Sequence, residues 1–268
     1  MIIDSFIFFN EYNILEGRLE YLYDHVDFFV LVETDITFSG NPKPFYFRDN
    51  MSRYKKYLDK IIYSPFKFEQ KDHLNFTIKP TTTDYSAPQW QVEYAQRNYI
   101  TTATKIFSPD DILIISDVDE IPKLASVDYA KSLMGKEVDS MALGQEMFYY
   151  NFNKKQNKYW LGSIVTTNRF AQKQTPQWLR DMRTAMPRMA NAGWHLSYWT
   201  TPEGIEHKIK NFSHQEFNTP DLNNRQNILN SIANSEDLFN KQLELISVAP
   251  TEIDFDVYNI FNKYSTQS

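Results

Sequence analysis

Asp111-Ile112-Leu113-Ile114-Ile115-Ser116-Asp117-Val118-Asp119-Glu120-Ile121-Pro122 is the stretch on which the fold turns. Four consecutive branched aliphatic residues between polar neighbours read as a strand buried on both faces. Three carboxylates lie within the four residues from Asp117 to Glu120, at the carboxyl end of that strand, where open α/β sheets bind their ligands. Upstream, residues 2–9 form a short apolar run with strand character. Leu15, Leu19, Leu22 and Val26 follow at spacings of four, three and four, which predicts an amphipathic helix over 14–25. Residues 27–33 read as a second buried strand ending on Glu33. Strand, helix and strand in about thirty residues form a βαβ unit, whose right-handed crossover makes the strands parallel.

A third strand is expected at 60–64 and a polar, proline-bearing loop at 77–88. The spacing predicts a helix over 89–102, with Val92, Ala95 and Tyr99 inward and Glu93, Gln96 and Arg97 outward. Beyond the carboxylates the pattern turns aromatic and strand-like over 138–152 and 161–170. Residues 201–212 read as a helix with Thr201 as N-cap, Pro202 in the first position and Ile205, Ile209 and Phe212 on one face. Two more helices are expected over 222–233 and 236–246. One α/β domain with a helical C-terminal part accounts for the pattern.

Composition narrows the chemistry. The 268 residues include 7 glycines and no cysteine. Disulfides, thiolate nucleophiles and cysteine-ligated metals are thereby excluded. The closest glycines, Gly135 and Gly144, are nine positions apart, so neither a dinucleotide-binding glycine fingerprint nor a Walker loop is present. The net charge of −6 and the lack of a basic block argue against a nucleic-acid partner. The longest strictly apolar run, Phe28 to Val32, has five residues, far short of the ~20 that a spanning helix needs. The first residues show neither a basic leader nor a cleavage site. The expectation is a cytoplasmic protein, peripheral membrane contact at the inner face included.

Carboxylates crowded at a strand end repel one another unless a cation lies between them, which points to Mg²⁺ or Mn²⁺ held by oxygen ligands. A chain with no glycine cradle must meet the charge of a nucleoside diphosphate in another way. A divalent ion bridging carboxylate and diphosphate does so, and it also stabilises the departing nucleoside diphosphate. An Asp-x-Asp triplet, a metal and a nucleotide sugar together follow the logic of a GT-A type glycosyltransferase. The competing account has Asp119 capping the helix after Pro122 while its neighbours are solvated.

The segment Asp117-Val118-Asp119-Glu120-Ile121-Pro122 resembles the metal-binding motif of glycosyltransferase family 17. Two further blocks carry the resemblance. One is Gly193-Trp194-His195-Leu196-Ser197-Tyr198, followed by Thr201-Pro202-Glu203-Gly204-Ile205 and Lys208. The other comprises Arg18, the strand from Val26 to Val30, Glu33, Thr37-Phe38-Ser39-Gly40 and Pro42-Lys43-Pro44. The resemblance implies a GT-A type nucleotide-binding fold with a mixed, mostly parallel central sheet. It also implies a UDP-sugar donor, GlcNAc foremost, a divalent metal, a glycan or glycolipid acceptor and inversion at the anomeric carbon. On this reading residues 1–268 are one domain, with 1–122 holding the nucleotide sugar and 123–268 the acceptor. The eukaryotic members carry an anchor, a lumenal stem and cysteines; the sequence here has no cysteine, and the expectation is a protein without the anchor and stem. The region between Phe148 and Arg188 matches poorly, so acceptor identity does not carry over.

Within that frame Asp119 is expected to ligate the metal, Asp117 to reach metal or ribose, and Glu120 to orient the loop. Glu33 falls where such folds contact the uridine or its ribose, and Arg97 and Arg18 are candidates for the diphosphate. His195 takes a functional role and His214 that of a last metal ligand. An inverting transfer needs a base for the acceptor hydroxyl. Glu203, Glu216, Asp181 and Glu146 are the candidates, with Glu203, just inside a helix N-terminus, placed first. Trp160, Trp178, Trp194 and Trp199, with Tyr149, Tyr150 and Tyr198, offer sugar-stacking walls. Two alternatives stay open: an aspartate-dependent phosphohydrolase and a non-catalytic glycan-binding domain of the same fold.

Overall fold

The structure, a computed structural model, describes residues 1–69, 86–234, 236–239 and 243–264. Its strands are β1 (Ile2–Ile7), β2 (Phe28–Thr34), β3 (Ile61–Phe66), β4 (Ile112–Asp117), β5 (Glu120–Pro122), β6 (Ser140–Tyr149), β7 (Lys154–Gln156), β8 (Trp160–Thr167), β9 (Arg188–Met189), β10 (Gly193–Ser197) and β11 (Leu245–Ser247). Its α-helices are α1 (Tyr12–Leu22), α2 (Tyr46–Asp49), α3 (Pro88–Ala103), α4 (Leu124–Leu133), α5 (Asn168–Gln174), α6 (Pro176–Asp181), α7 (Pro202–Asn211), α8 (Arg225–Asn234) and α9 (Phe255–Lys263).

The main sheet runs β11-β7-β6-β8-β4-β1-β2-β3. Strands β4, β1, β2 and β3 are parallel, and β8 joins β4 antiparallel, so β1 and β2 are parallel as the βαβ pattern predicts, within the mixed, mostly parallel central sheet that the resemblance implies. The period of two along β4 sorts its side chains between two layers. Ile114 packs with Leu15, Leu19 and Phe261, toward α1 and α9. Leu113 and Ile115 pack with Ile100, Ala171 and Leu179, toward α3, α5 and α6. β4 is therefore covered on both faces, and its polar end is the part left to face a ligand.

The helix expected over 89–102 forms as α3, but Gln96 and Arg97 are buried, not outward. The amide of Gln96 donates to the carbonyls of Phe8 and Val32, and Arg97 is held by acidic partners. Burial of polar side chains is acceptable where each one is paired. Over 161–170 the strand stops at Thr167, whose hydroxyl caps α5. The helix expected over 236–246 does not form among the described residues, because Leu245–Ser247 pairs with β7 as an edge strand. Tertiary pairing overrides a weak local preference there. Helix α9, which no periodicity had flagged, starts on the Asp254 cap and buries Val257 and Phe261. The loop expected over 77–88 lies mostly outside the described residues. No helix among the described residues is long and apolar enough to cross a membrane.

Candidate active site

β4 ends at Asp117, and the chain turns through Val118 and Asp119 into β5. Arg18, fully buried on α1, holds this turn from beneath. Its Nη1 donates to the carbonyls of Val118 (3.2 Å) and Glu120 (2.7 Å), and Nε and Nη2 form a two-point pair with the equally buried Asp4. Arg18 is thus a prop for the carboxylate turn and not a diphosphate ligand: its fork is spent on Asp4 and backbone oxygens.

Asp117 receives two guanidinium groups, Arg97 Nη2 on Oδ1 at 3.0 Å and Arg180 Nη2 on Oδ2 at 2.9 Å. Arg180 also grips buried Glu120 at both oxygens, 2.8 and 2.7 Å. Glu120 in turn accepts the Asp117 backbone N–H at 2.9 Å and the Trp160 indole N–H at 2.7 Å. Glu120 therefore orients the loop, as expected. Burial pushes the Asp117 carboxyl up, but Arg180 and Arg97 outweigh it and hold the group down to about 2. A carboxyl depressed on folding stabilises the native state above its unfolded pKa, and that contribution is lost as the pH falls through the folded value. The wild type should accordingly lose more thermal stability than Asp117→Asn between about pH 4 and pH 2, read as the melting midpoint against pH.

Asp119 takes a different set of partners. β10 runs antiparallel to β5, pairing His195 with Glu120, and the Leu196 N–H donates to the Asp119 carbonyl at 2.9 Å. Lys208, on α7, donates to Asp119 Oδ2 at 3.1 Å and lies 3.7 Å from Glu11. Helix α7 is set by the Thr201 hydroxyl, which accepts the Gly204 N–H at 3.1 Å, and by Ile205 and Ile209 packed inside. His195 Nε2 lies 3.6 Å from Asp119 Oδ1, beyond hydrogen-bond distance, while its Nδ1 is buried with no hydrogen-bond partner among the described residues. Burial opposes ionisation of Asp119, but Lys208 and His195 hold its carboxyl well below the usual range.

These groups open onto a cavity of about 1100 Å³. Phe9, Glu11 and Thr37 line it from the segments that follow β1 and β2, Trp90, Glu93 and Arg97 from α3, Asp181 from α6, and Trp160 and Arg183 from β8 and the turn after α6. His195, Tyr198, Lys208 and His214 complete the lining used below. Among the described residues no group of three or more His, Asp or Glu side chains is arranged to hold a metal ion. The ligand set of Asp117, Asp119 and His214 is therefore not assembled. Both oxygens of Asp117 are engaged by arginine, and His214 Nδ1 is 2.8 Å from Glu216, with its ring against Trp90. What remains is Asp119 Oδ1. Mg²⁺-like ions keep waters and take one or two carboxylates together with substrate phosphates, and Asp119 suits such a shared site.

Other expected residues fall elsewhere. Glu33 is fully buried and accepts from Lys43 Nζ (2.9 Å), the Tyr63 hydroxyl (2.9 Å) and the Phe47 N–H (3.2 Å). Burial raises its pKa against the pull of Lys43, and it is Lys43 that faces the cavity. Glu203 is exposed, paired with Arg225 and outside the cavity lining, because α7 turns its Lys208 face inward. Glu146 pairs with Lys155. Trp178 is exposed on the far side of α6 and Trp194 is core, whereas Trp160, Tyr149 and Tyr198 do line the cavity. Asp117 does not present the free oxygen that an aspartyl nucleophile requires.

Sequence reasoning missed Arg180, Arg183, Glu11 and the use made of Lys208. A signal existed for Arg180: Thr175-Pro176 is a helix start, and the Thr175 hydroxyl caps α6. Thr175 itself sits at φ 73°, a strained conformation for a β-branched residue. That bend between α5 and α6 accompanies the return of Arg180 to Glu120.

A family model described as glycosyltransferase family 17 matches residues 1–249. The β-1,4-mannosyl-glycoprotein 4-β-N-acetylglucosaminyltransferase of Homo sapiens is 23% identical over 235 residues, and that of Rattus norvegicus 25% over 237. Each alignment covers 78% of this chain and 42% of the relative, so the chain spans less than half the length of the curated relatives it matches. Among solved structures, the Francisella tularensis 2-C-methyl-D-erythritol 4-phosphate cytidylyltransferase aligns with a TM-score of 0.40 and 10% identity, over 77% of this chain and 98% of that one. A galactosyltransferase crystallised with donor and acceptor sugar analogues aligns with a TM-score of 0.34 and 9% identity, over 75% and 73%.

Proposed function

The chain belongs to glycosyltransferase family 17, and on that premise we propose that it transfers a sugar, GlcNAc foremost, from a UDP-sugar to a glycan hydroxyl with inversion. The observation that carries this reading is the carboxylate turn at the end of β4. It opens on a cavity of about 1100 Å³, just above the usual size for ligand sites, with Asp119 Oδ1 accepting no hydrogen bond within 3.5 Å among the described residues. The relatives' names supply the donor sugar.

Asp119, together with the donor's phosphates, would hold Mn²⁺ or Mg²⁺, which supplies charge neutralisation for the departing nucleoside diphosphate. Arg97 and Arg180 fix Asp117 and Glu120, so the turn does not reorganise as charge develops. His195, beside the Trp160 ring 5.2 Å away, favours the ionised form of Asp119. Asp181 replaces Glu203 as the candidate base. Of the carboxylates lining the cavity, Glu11, Glu93, Asp117 and Asp119 are committed to cations. Asp181 accepts from Gln177 at 2.8 Å through Oδ1 and is exposed, which leaves Oδ2 to take the acceptor's proton.

The test is a panel of nucleotide sugars with Mn²⁺, read as binding and as nucleoside diphosphate release with glycan acceptors. No binding and no turnover across the panel would overturn the proposal. Asp181→Asn should lower kcat by about 10²–10⁴ with donor KM unchanged. A variant as fast as wild type would remove Asp181 from the reaction.

A further inference from the structure

Six cationic side chains line the cavity: Lys43, Arg97, Lys158, Arg180, Arg183 and Lys208. Four are neutralised by carboxylates, Lys43 by Glu33, Arg97 by Glu93 and Asp117, Arg180 by Asp117 and Glu120, and Lys208 by Asp119. Among the described residues, Arg183 and Lys158 have no carboxylate within ion-pair distance, and they share the wall that carries Trp160. Arg183 is half-buried and lies over the Trp160 ring, 5.7 Å from its centroid. Its described hydrogen bond is Nη1 donating to the Arg180 carbonyl. Burial and the neighbouring Arg180 lower its pKa against the pull of Glu120 and Asp117, which lie beyond ion-pair distance. A half-buried guanidinium without a carboxylate is costly to keep unless a ligand completes it, and its planar fork matches phosphate oxygens.

We infer that Arg183, with Lys158 at its exposed rim, forms a subsite for a substrate phosphate group. This rests on reading the cavity as a nucleotide-sugar site, and the phosphate belongs either to the donor's diphosphate or to a phosphorylated acceptor. Either way the wall stacked on Trp160 binds an anion directly, beside the carboxylate turn to which Trp160 and Arg180 are hydrogen-bonded.

Wild type, Arg183→Gln and Arg183→Lys are titrated calorimetrically in Mg²⁺ with UDP, uridine, inorganic pyrophosphate and a hexose 1-phosphate. Their melting midpoints serve as the control for folding. Arg183→Gln should weaken the phosphate ligand tenfold or more, leave uridine unchanged and be partly restored by Arg183→Lys. A loss on UDP assigns the subsite to the donor, and a loss confined to the hexose 1-phosphate assigns it to the acceptor. If wild type binds pyrophosphate but not UDP, and Arg183→Gln loses it, the subsite stands while the nucleotide-sugar reading fails. Unchanged affinity for every phosphate ligand in Arg183→Gln, or no phosphate binding by wild type, overturns the inference.

Discussion

Asp119→Asn should lower kcat/KM for sugar transfer by about a thousandfold or more, on the order of 4 kcal/mol of lost transition-state stabilisation. The fold should survive the change. Asparagine matches the shape of aspartate and still accepts from Lys208, and the Lys208 ammonium keeps Glu11 at 3.7 Å. The negative charge is what disappears. On the proposed reading, the oxygen that faces His195 could then no longer share a divalent ion with the donor's phosphates. A control separates charge from geometry: Lys208→Met breaks the same ion pair but leaves Asp119 ionised, so its loss of activity should be much smaller. Asp119→Asn activity within tenfold of wild type, or wild-type activity undiminished in excess EDTA, would take Asp119 out of the metal role.

Arg18→Met should destabilise the protein by about 3–5 kcal/mol, the usual consequence of removing one partner of a buried ion pair. At about 2–4 °C per kcal/mol for a chain of this size, the melting midpoint should fall by on the order of 10 °C. Two losses combine here: Asp4 keeps a charge with no counter-ion at zero exposure, and the Val118 carbonyl loses its Arg18 donor while that of Glu120 is left with the Ser163 hydroxyl. The double variant Asp4→Leu/Arg18→Met distinguishes them. Removing both charges should recover most of the stability, because a buried pair contributes little over an apolar one. Activity should stay low, since the turn then loses its support from beneath, while the contacts of Arg97 and Arg180 to Asp117 and Glu120 remain. A double variant as active as wild type would reduce Arg18 to a packing residue.

Much of the scaffold was legible in local patterns. The βαβ start, the Ile-Leu-Ile-Ile strand and the Thr201–Pro202 helix start each rest on residues close in sequence, where periodicity and capping act directly. Misreadings gathered where a distant partner sets the outcome. Arg97 has the spacing of an outward residue on α3, yet Asp117 and Glu93 make an inward position favourable. Leu245–Ser247 lies in a stretch with helical spacing, yet the open edge of β7 takes it as a strand. Glu203 has the local marks of a functional acid, but the rotation of α7 is set by Ile205 and Ile209 in the core, and that rotation sends Glu203 to solvent.

The same division holds for the site. From the sequence alone, the strand leading to Asp117 and Asp119 and the absence of a glycine loop determined where a ligand's charge must be met. Family membership adds the class of chemistry. Only the tertiary structure decided which cations meet which carboxylates. Arg18, Arg97, Arg180 and Lys208 arrive from four different helices, and the pairing of buried charges depends on distances of a few ångströms between residues far apart in sequence, 89 positions for Lys208 and Asp119. Coulombic and hydrogen-bond energies act through space, and no spacing along the chain encodes them.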